Sequence, residues 1–294
     1  MPDSVTCKKI TIFVGKYQSS VGMIYQVFKP KPELAHIVEH YWYSKVDLSG
    51  SVVQHYPTPL LQGLIFNFKK LAEHHTYDGK QVQLYRQAYF FGQPTSSRIV
   101  NTNEKGIDIL GVKFHPLGIA KITGINMEHV ADAIIGADDI WNKELEFICE
   151  EIQSARSIQG SIDVLENFLW NKSCNTRIHY RYENVDHAIM LIQRSNGTIN
   201  MRELQYETNT SRKTLERAFL NFVGLTPKLY SRITRFNALK SIIDNGLVDQ
   251  NLSRVAFDLG YADGSHLAAE FKCFANMTPS QYMASLQQQN TELV

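Results

Sequence analysis

The chain has 294 residues, 44% of them hydrophobic, with 30 Lys and Arg against 29 Asp and Glu. At roughly 150 residues per domain that is room for two folded cores, which excludes a disordered or polyelectrolyte chain. No apolar run approaches the ~20 residues needed to cross a bilayer, and residues 1–10 lack the charged-then-apolar layout of a secretory signal, so the expectation is no membrane partner and a cytoplasmic location.

Four cysteines, Cys7, Cys149, Cys174 and Cys273, are scattered without a C-x-x-C pair, which predicts free thiols. The near-neutral sum of charges hides any segregation between parts of the chain, so the balance has to be taken locally.

From residue 10 to 116 short runs rich in Val, Ile, Phe and Tyr follow one another, among them MIYQVF, HYWYSKV, LLQGLIFNF and GIDILGVKF, most of them bounded by Gly, Pro, Asn or Asp. Many short strands in succession predict a β-barrel or sandwich. PKPEL ahead of AHIVEH reads as a helix start among the strands, which would put His36 and His40 on one helical face. No H-x-H with a following carboxylate accompanies them or the adjacent His74 and His75, so neither metal nor cofactor is expected. Nucleophile-elbow, P-loop and dinucleotide signatures are missing too, and the expectation is a non-enzyme. Trp42, Tyr56, Phe66 and Phe68 are candidates to line an apolar effector pocket, against the plainer reading of aromatic residues in a core or on a sheet surface.

Between residues 116 and 171 the period changes to about 3.6. Trp141, Leu145, Ile148 and Ile152 form one stripe, and Ile158, Ile162, Leu165 and Leu169 a second, which predicts an αα-hairpin. The stripes either pack on the strands or form a dimerisation surface over residues 138–170. Residues 171–183 lose the periodicity and read as a linker between a β-rich domain, 1–170, and a helical domain, 184–286, with a tail from 287 to 294.

In the helical part, Val185, Ile189 and Ile192 give a helix that stops at Ser195-Asn196-Gly197. A short helix at 201–207 and a turn then lead into residues 211–227, SRKTLERAFLNFVGLTP, which return near the C-terminus as residues 263–279, DGSHLAAEFKCFANMTP, at an offset of 52. Helix, turn and second helix in each copy is the helix-turn-helix arrangement, predicted at 199–223 and 251–275, with a helix at 228–244 between them. That spacer is about 25 Å long at 1.5 Å per residue. In the first copy Leu215, Ala218, Phe219 and Phe222 face the core and leave Lys213, Glu216, Arg217 and Leu220 outward. Lys213 and Arg217 suit guanine edges or phosphates, and Glu216 suits a cytosine amino group. From 211 to 240 seven basic residues (Arg212, Lys213, Arg217, Lys228, Arg232, Arg235, Lys240) stand against Glu216 alone, a local balance of +6 that fits phosphate binding.

Ser211, Leu215, Arg217, Phe219, Gly224, Thr226, Pro227 and Tyr230, followed by Val255, Ala256, Gly260, Tyr261, Asp263, Ser265, His266, Leu267, Phe271, Thr278, Pro279 and Tyr282, resemble the double motif of the AraC/XylS family of transcription regulators. The resemblance implies an α+β protein: an N-terminal cupin-like barrel with an αα-hairpin, then an all-α domain of two helix-turn-helix units. It implies double-stranded DNA and RNA polymerase as partners, an activator of bacterial type and a small-molecule effector. Base reading falls on Lys213, Glu216 and Arg217 in the first unit and on Ser265, His266 and Ala269 in the second, with Arg212, Lys228, Arg232 and Lys272 as further DNA contacts. PKPELAHIVEHYWY, a PTP turn, IFNF and GVKFHPLG also resemble an N-terminal domain found in many uncharacterised members. Ala269 departs from the family pattern, which commonly has arginine there, so the first unit is expected to dominate.

Overall fold

A computed structural model describes residues 23–46, 52–68, 72–76, 81–83, 87–102, 107–176, 182–246 and 252–291. The β-rich part contains β1 (Met23–Phe28), β2 (Val38–Val46), β3 (Val52–Tyr56), β4 (Gly63–Asn67), β5 (Ala72–Thr76), β6 (Gln81–Gln83), β7 (Ala88–Phe91), β8 (Arg98–Thr102), β9 (Ile107–Phe114) and, beyond a helix, β10 (Ile134–Gly136). They make two antiparallel sheets, six strands in the order β1-β2-β9-β4-β7-β10 and four in the order β3-β8-β5-β6. Among the described residues no strand pairing joins the two sheets into one closed barrel.

Pairing in the six-stranded sheet sorts its side chains. Trp42, Gly111, Ile65 and Tyr89 stand opposite one another across β2, β9, β4 and β7, so they share a face. The flanking rows, Tyr41-Val112-Leu64-Phe90 and Tyr43-Leu110-Phe66-Ala88, point the other way because side chains alternate along a strand. That second face is the core: Tyr41, Leu64, Phe90, Leu110 and Val112 have no solvent exposure, and burying each apolar one stabilises the fold by about 1.5 to 3 kcal/mol.

The helices are α1 (Gly118–Thr123), α2 (Asp138–Trp141), α3 (Lys143–Ser154), α4 (Ile158–Asn175), α5 (Tyr182–Arg194), α6 (Met201–Glu207), α7 (Arg212–Val223), α8 (Pro227–Asp244), α9 (Leu252–Asp258), α10 (Gly264–Ala275) and α11 (Pro279–Thr291), with a 3₁₀ turn at Met127–His129. The αα-hairpin is α3 and α4. Its stripes turn inward, with Trp141, Leu145, Ile148, Ile152, Ile162, Leu165 and Leu169 buried and Trp141 packed edge-on against Phe90 and Phe168. They pack the domain, and a dimer surface over 138–170 has only the outer faces, where Phe147 is 69% and Trp170 42% exposed.

Three expectations change. PKPEL does not start a helix: residues 32–37 are turns closed by bonds such as Val38 N–H to Leu34 O at 2.8 Å, and Val38 already belongs to β2. The β-branched and aromatic residues of β2 pair on both edges, with β1 and β9, and that double ladder outweighs the local helix signal. His36 therefore sits in a turn and His40 in a strand. The expected linker also shrinks, because α4 runs on to Asn175, with Lys172 Nζ 2.5 Å from Glu144 Oε2 tying it to α3; residues 177–181 lie outside the described residues. Finally α11 continues to Thr291, past the expected tail boundary.

Candidate nucleic-acid interface

The first unit is built by local capping. The Asn200 side chain accepts from Arg202 N–H and Glu203 N–H, and Glu203 returns a bond to Asn200 N–H, so α6 starts in a capping box. Ser211 caps α7 by accepting from Thr214 N–H, and Gly224, at φ 83°, ends it in the left-handed region. Thr226 then caps α8, with Pro227 in its first turn. Leu215, Phe219 and Val223 are buried, which fixes the outward face of α7.

On that face Lys213 and Arg217 are exposed and enter no hydrogen bond or ion pair among the described residues. Glu216 differs: Arg212 Nε donates to its Oε1 at 2.9 Å, one helical turn away. An exposed pair of this kind contributes only about 0.3 to 0.5 kcal/mol, so approaching DNA can separate it.

The basic patch read from the sequence contracts. Arg232 Nε and Nη2 bind Glu270 Oε1 at 2.8 and 2.7 Å, and its guanidinium lies 5.2 Å from the Phe274 ring. Arg235 donates to Gly260 O at 3.0 Å and Gly197 O at 3.4 Å and stacks over Tyr261. Lys240 pairs with Asp244 at 2.6 Å. Arg232 and Arg235 tie α8 to the units on either side of it and Lys240 is paired within α8, which leaves Arg212, Lys213, Arg217 and Lys228 as the outward group.

The second unit repeats the frame with different chemistry. Asp263 caps α10 by accepting from His266 N–H at 2.8 Å, at the position of Ser211, and Asn276, at φ 55°, stands where Gly224 ends α7. Tyr230 and Tyr282, also 52 residues apart, are both buried, with hydroxyls bonded to Gln193 and Asp244 respectively. Ser265, Ala269 and Lys272 are exposed. His266 is turned inward to its own turn, its Nδ1 accepting from Ala262 N–H at 3.3 Å and its ring edge-on to Tyr261. Lys213 and Arg217 thus correspond to Ser265 and Ala269, which carry no charge.

The four aromatic pocket candidates are not brought together. Trp42 belongs to a cluster with Ile65, Tyr89 and Phe91, whereas Phe66 is in the main core on the opposite face of the sheet, and Phe68 packs against that core. Tyr56 is in β3, opposite Arg98; its side chain lies outside the described residues.

Arg98, in β8, was not singled out by the sequence. Its side chain is only 10% exposed, and among the described residues its Nη2 has no hydrogen-bond partner and lies 3.8 Å from Asp132. Asp132 is itself engaged by the backbone N–H and hydroxyl of Thr95. Burial lowers the Arg98 pKa below the usual arginine value, with Asp132 opposing the shift. Among the described residues no three His, Cys, Asp or Glu side chains gather as metal ligands, and no helix is long and apolar enough to cross a membrane.

Residues 206–285 match the model of a helix-turn-helix domain, and residues 26–136 match a domain of unknown function (DUF6597). No curated protein matches the chain. Among solved structures it is similar to ToxT from Vibrio cholerae O395, at 12% identity and TM-score 0.46 over 90% of this chain and 98% of that one. ToxT from Vibrio cholerae strain SCE256 with bound unsaturated fatty acid is similar at 13% identity and TM-score 0.47, covering 91% and 96%. The AraC-like transcriptional activator CuxR gives 13% and 0.28, covering 74% and 86%. The helix-turn-helix match spans both copies of the repeat, whose caps, core residues and stops recur 52 residues apart; the chain therefore carries a double helix-turn-helix domain, which supports the resemblance to AraC/XylS regulators, joined to an N-terminal domain of unknown function.

Proposed function

We propose that this DNA-binding regulator reads its operator mainly through the first unit and responds to a small molecule in its β-rich domain. The observation that carries the first half is the unmatched cationic face of α7: Lys213 and Arg217 are exposed and unpaired among the described residues, while their counterparts are Ser265 and Ala269. On this reading α7 supplies base contacts, Arg212 and Lys228 add phosphate contacts, and α10 contributes shape and backbone contacts with Lys272 as its cation. Arg232 acts from within, holding α10 through Glu270. Footprinting tests the ordering; stronger protection and mutational sensitivity at the second half-site would overturn it.

Three cations on phosphates, Arg212, Lys228 and Lys272, give binding a moderate salt dependence, with log K falling by about 0.9 for each phosphate neutralised per tenfold rise in salt. A slope of about −3 is expected from fluorescence anisotropy between low and physiological salt. A flat profile would remove α7 from the DNA.

Support for an effector comes from Arg98, whose buried guanidinium has, among the described residues, an N–H without a hydrogen-bond partner and one carboxylate 3.8 Å away that is already engaged by Thr95. A carboxylate- or phosphate-bearing metabolite would satisfy it. Thermal-shift screening of small anions against neutral analogues is the test: a bound effector raises the melting temperature by mass action, and Arg98→Gln abolishes that rise. No shift with any anion favours a β-rich domain that only makes protein contacts. We assign the protein to the cytoplasm and to a non-enzymatic role, contacting RNA polymerase as an activator. Self-association through residues 138–170 would use the outer faces bearing Phe147 and Trp170.

A further inference from the structure

Among the described residues, two of the contacts between the β-rich domain and the helical domain lie at the C-terminal end of a recognition helix. At the first, Gly224 closes α7 against the 3₁₀ turn: a Cβ built on Gly224 would lie 2.5 Å from Met127 O and 3.1 Å from the Ala131 Cβ. At the second, Thr58, fully buried in the PTP turn, donates from both its N–H (2.8 Å) and its hydroxyl (2.9 Å) to Phe274 O, and its own carbonyl accepts from Asn237 Nδ2 of α8 at 3.1 Å. Phe274 lies in the last turn of α10, where carbonyls have no partner within the helix. Thr58 therefore caps the second recognition helix from another domain. The repeat relates the two places, since Phe274 is the counterpart of Phe222, two residues before Gly224.

One buried residue joins them, through its side chain on one side and its backbone carbonyl on the other. Gln93 Oε1 accepts from Leu61 N–H at 3.0 Å and its Nε2 donates to Pro59 O at 2.6 Å, which fixes the loop carrying Thr58. Its backbone carbonyl accepts from Asp132 N–H at 3.2 Å, which fixes the segment that follows Met127–His129. Gly92 packs so closely there that a Cβ would lie 1.8 Å from Val130 O. The result is a bracket: one end holds the tail of α7, the other the tail of α10, and Gln93 sets the distance between them.

We propose that Thr58 and Gln93 are positioning residues for DNA recognition, fixing the separation of the two reading helices and hence the spacing of half-sites the protein accepts. The proposal rests on the reading that both units engage DNA. It makes the β-rich domain part of the specificity apparatus although it touches no base.

The test uses the full chain and a duplex selected from a randomised library, altered by inserting or deleting one base pair between the two protected segments. A further duplex retains the first segment alone. Wild type should lose about tenfold in affinity per inserted or deleted pair, the equivalent of one good hydrogen-bond set. Gln93→Ala and Thr58→Val should flatten that penalty to about twofold while leaving single-segment affinity within about twofold. Thr58→Val removes only the hydroxyl donor, so it decides the matter if Gln93→Ala does not fold. Variants that melt earlier yet keep the wild-type spacing penalty would reduce both residues to a structural role and overturn the proposal. A wild-type footprint of one segment only would overturn the two-unit reading itself, and the proposal with it.

Discussion

Arg217→Ala is expected to weaken binding to the selected operator by about 1 to 3 kcal/mol while changing binding to a scrambled duplex much less. The side chain is exposed on α7, one turn after Lys213, and no acid among the described residues holds it, so its guanidinium is free to make a bidentate contact with a base edge. The neighbouring Arg212 is the internal comparison. It is already paired with Glu216, and Arg212→Ala should cost less because DNA contact there first has to separate that pair. Anisotropy titrations of both variants on both duplexes make the measurement. Equal losses for Arg217→Ala on selected and scrambled DNA would mean a phosphate contact, and no loss on either would mean that α7 does not face the DNA.

Gly197→Ala is expected to destabilise the protein by on the order of 3 kcal/mol, the sum of a left-handed backbone strain of about 1 to 2 and an overpacking cost of about 1 to 3. Gly197 has φ 78°, and an added Cβ would lie 2.1 Å from Ser231 O and 2.9 Å from Arg235 N. Both are backbone atoms of α8, so no rotamer change relieves the clash. The same substitution would displace the Gly197 carbonyl from Arg235, loosening a tie between α8 and the first unit. Gly246→Ala is the control, because its φ is 66° but nothing lies within 4 Å of an added Cβ. Denaturant unfolding should therefore show about 1 to 2 kcal/mol for Gly246→Ala and clearly more for Gly197→Ala. Equal losses would mean that α8 shifts without cost.

The helical domain was legible because its signals are local. Caps at Asn200, Ser211, Thr226 and Asp263 act within three residues, and the apolar period of Leu215, Phe219 and Val223 lies within one helix. The β-rich domain was legible only as a string of strands. Within one strand, which residues share a face follows from alternation; which strands pair does not follow, since β4 lies between β7 and β9 rather than beside β3, and that pairing is what puts Trp42 and Phe66 on opposite faces. PKPEL was misread for a related reason, as its helix signal lost to a ladder formed with residues up to Phe114.

Charge shows the division most plainly. By itself the sequence determined the duplicated units, their helix limits and the neutral residues that replace Lys213 and Arg217 in the second copy, because each depends on residue identity at short, fixed spacing. Only the tertiary structure decided which cations are available to DNA. Arg232 finds Glu270 38 residues away, Arg235 reaches Gly260 25 away, and Thr58 caps a carbonyl 216 away, so their partners come from how the helices and sheets pack. A count of charges along the chain cannot separate a cation that binds phosphate from one whose hydrogen bonds are already made inside the fold.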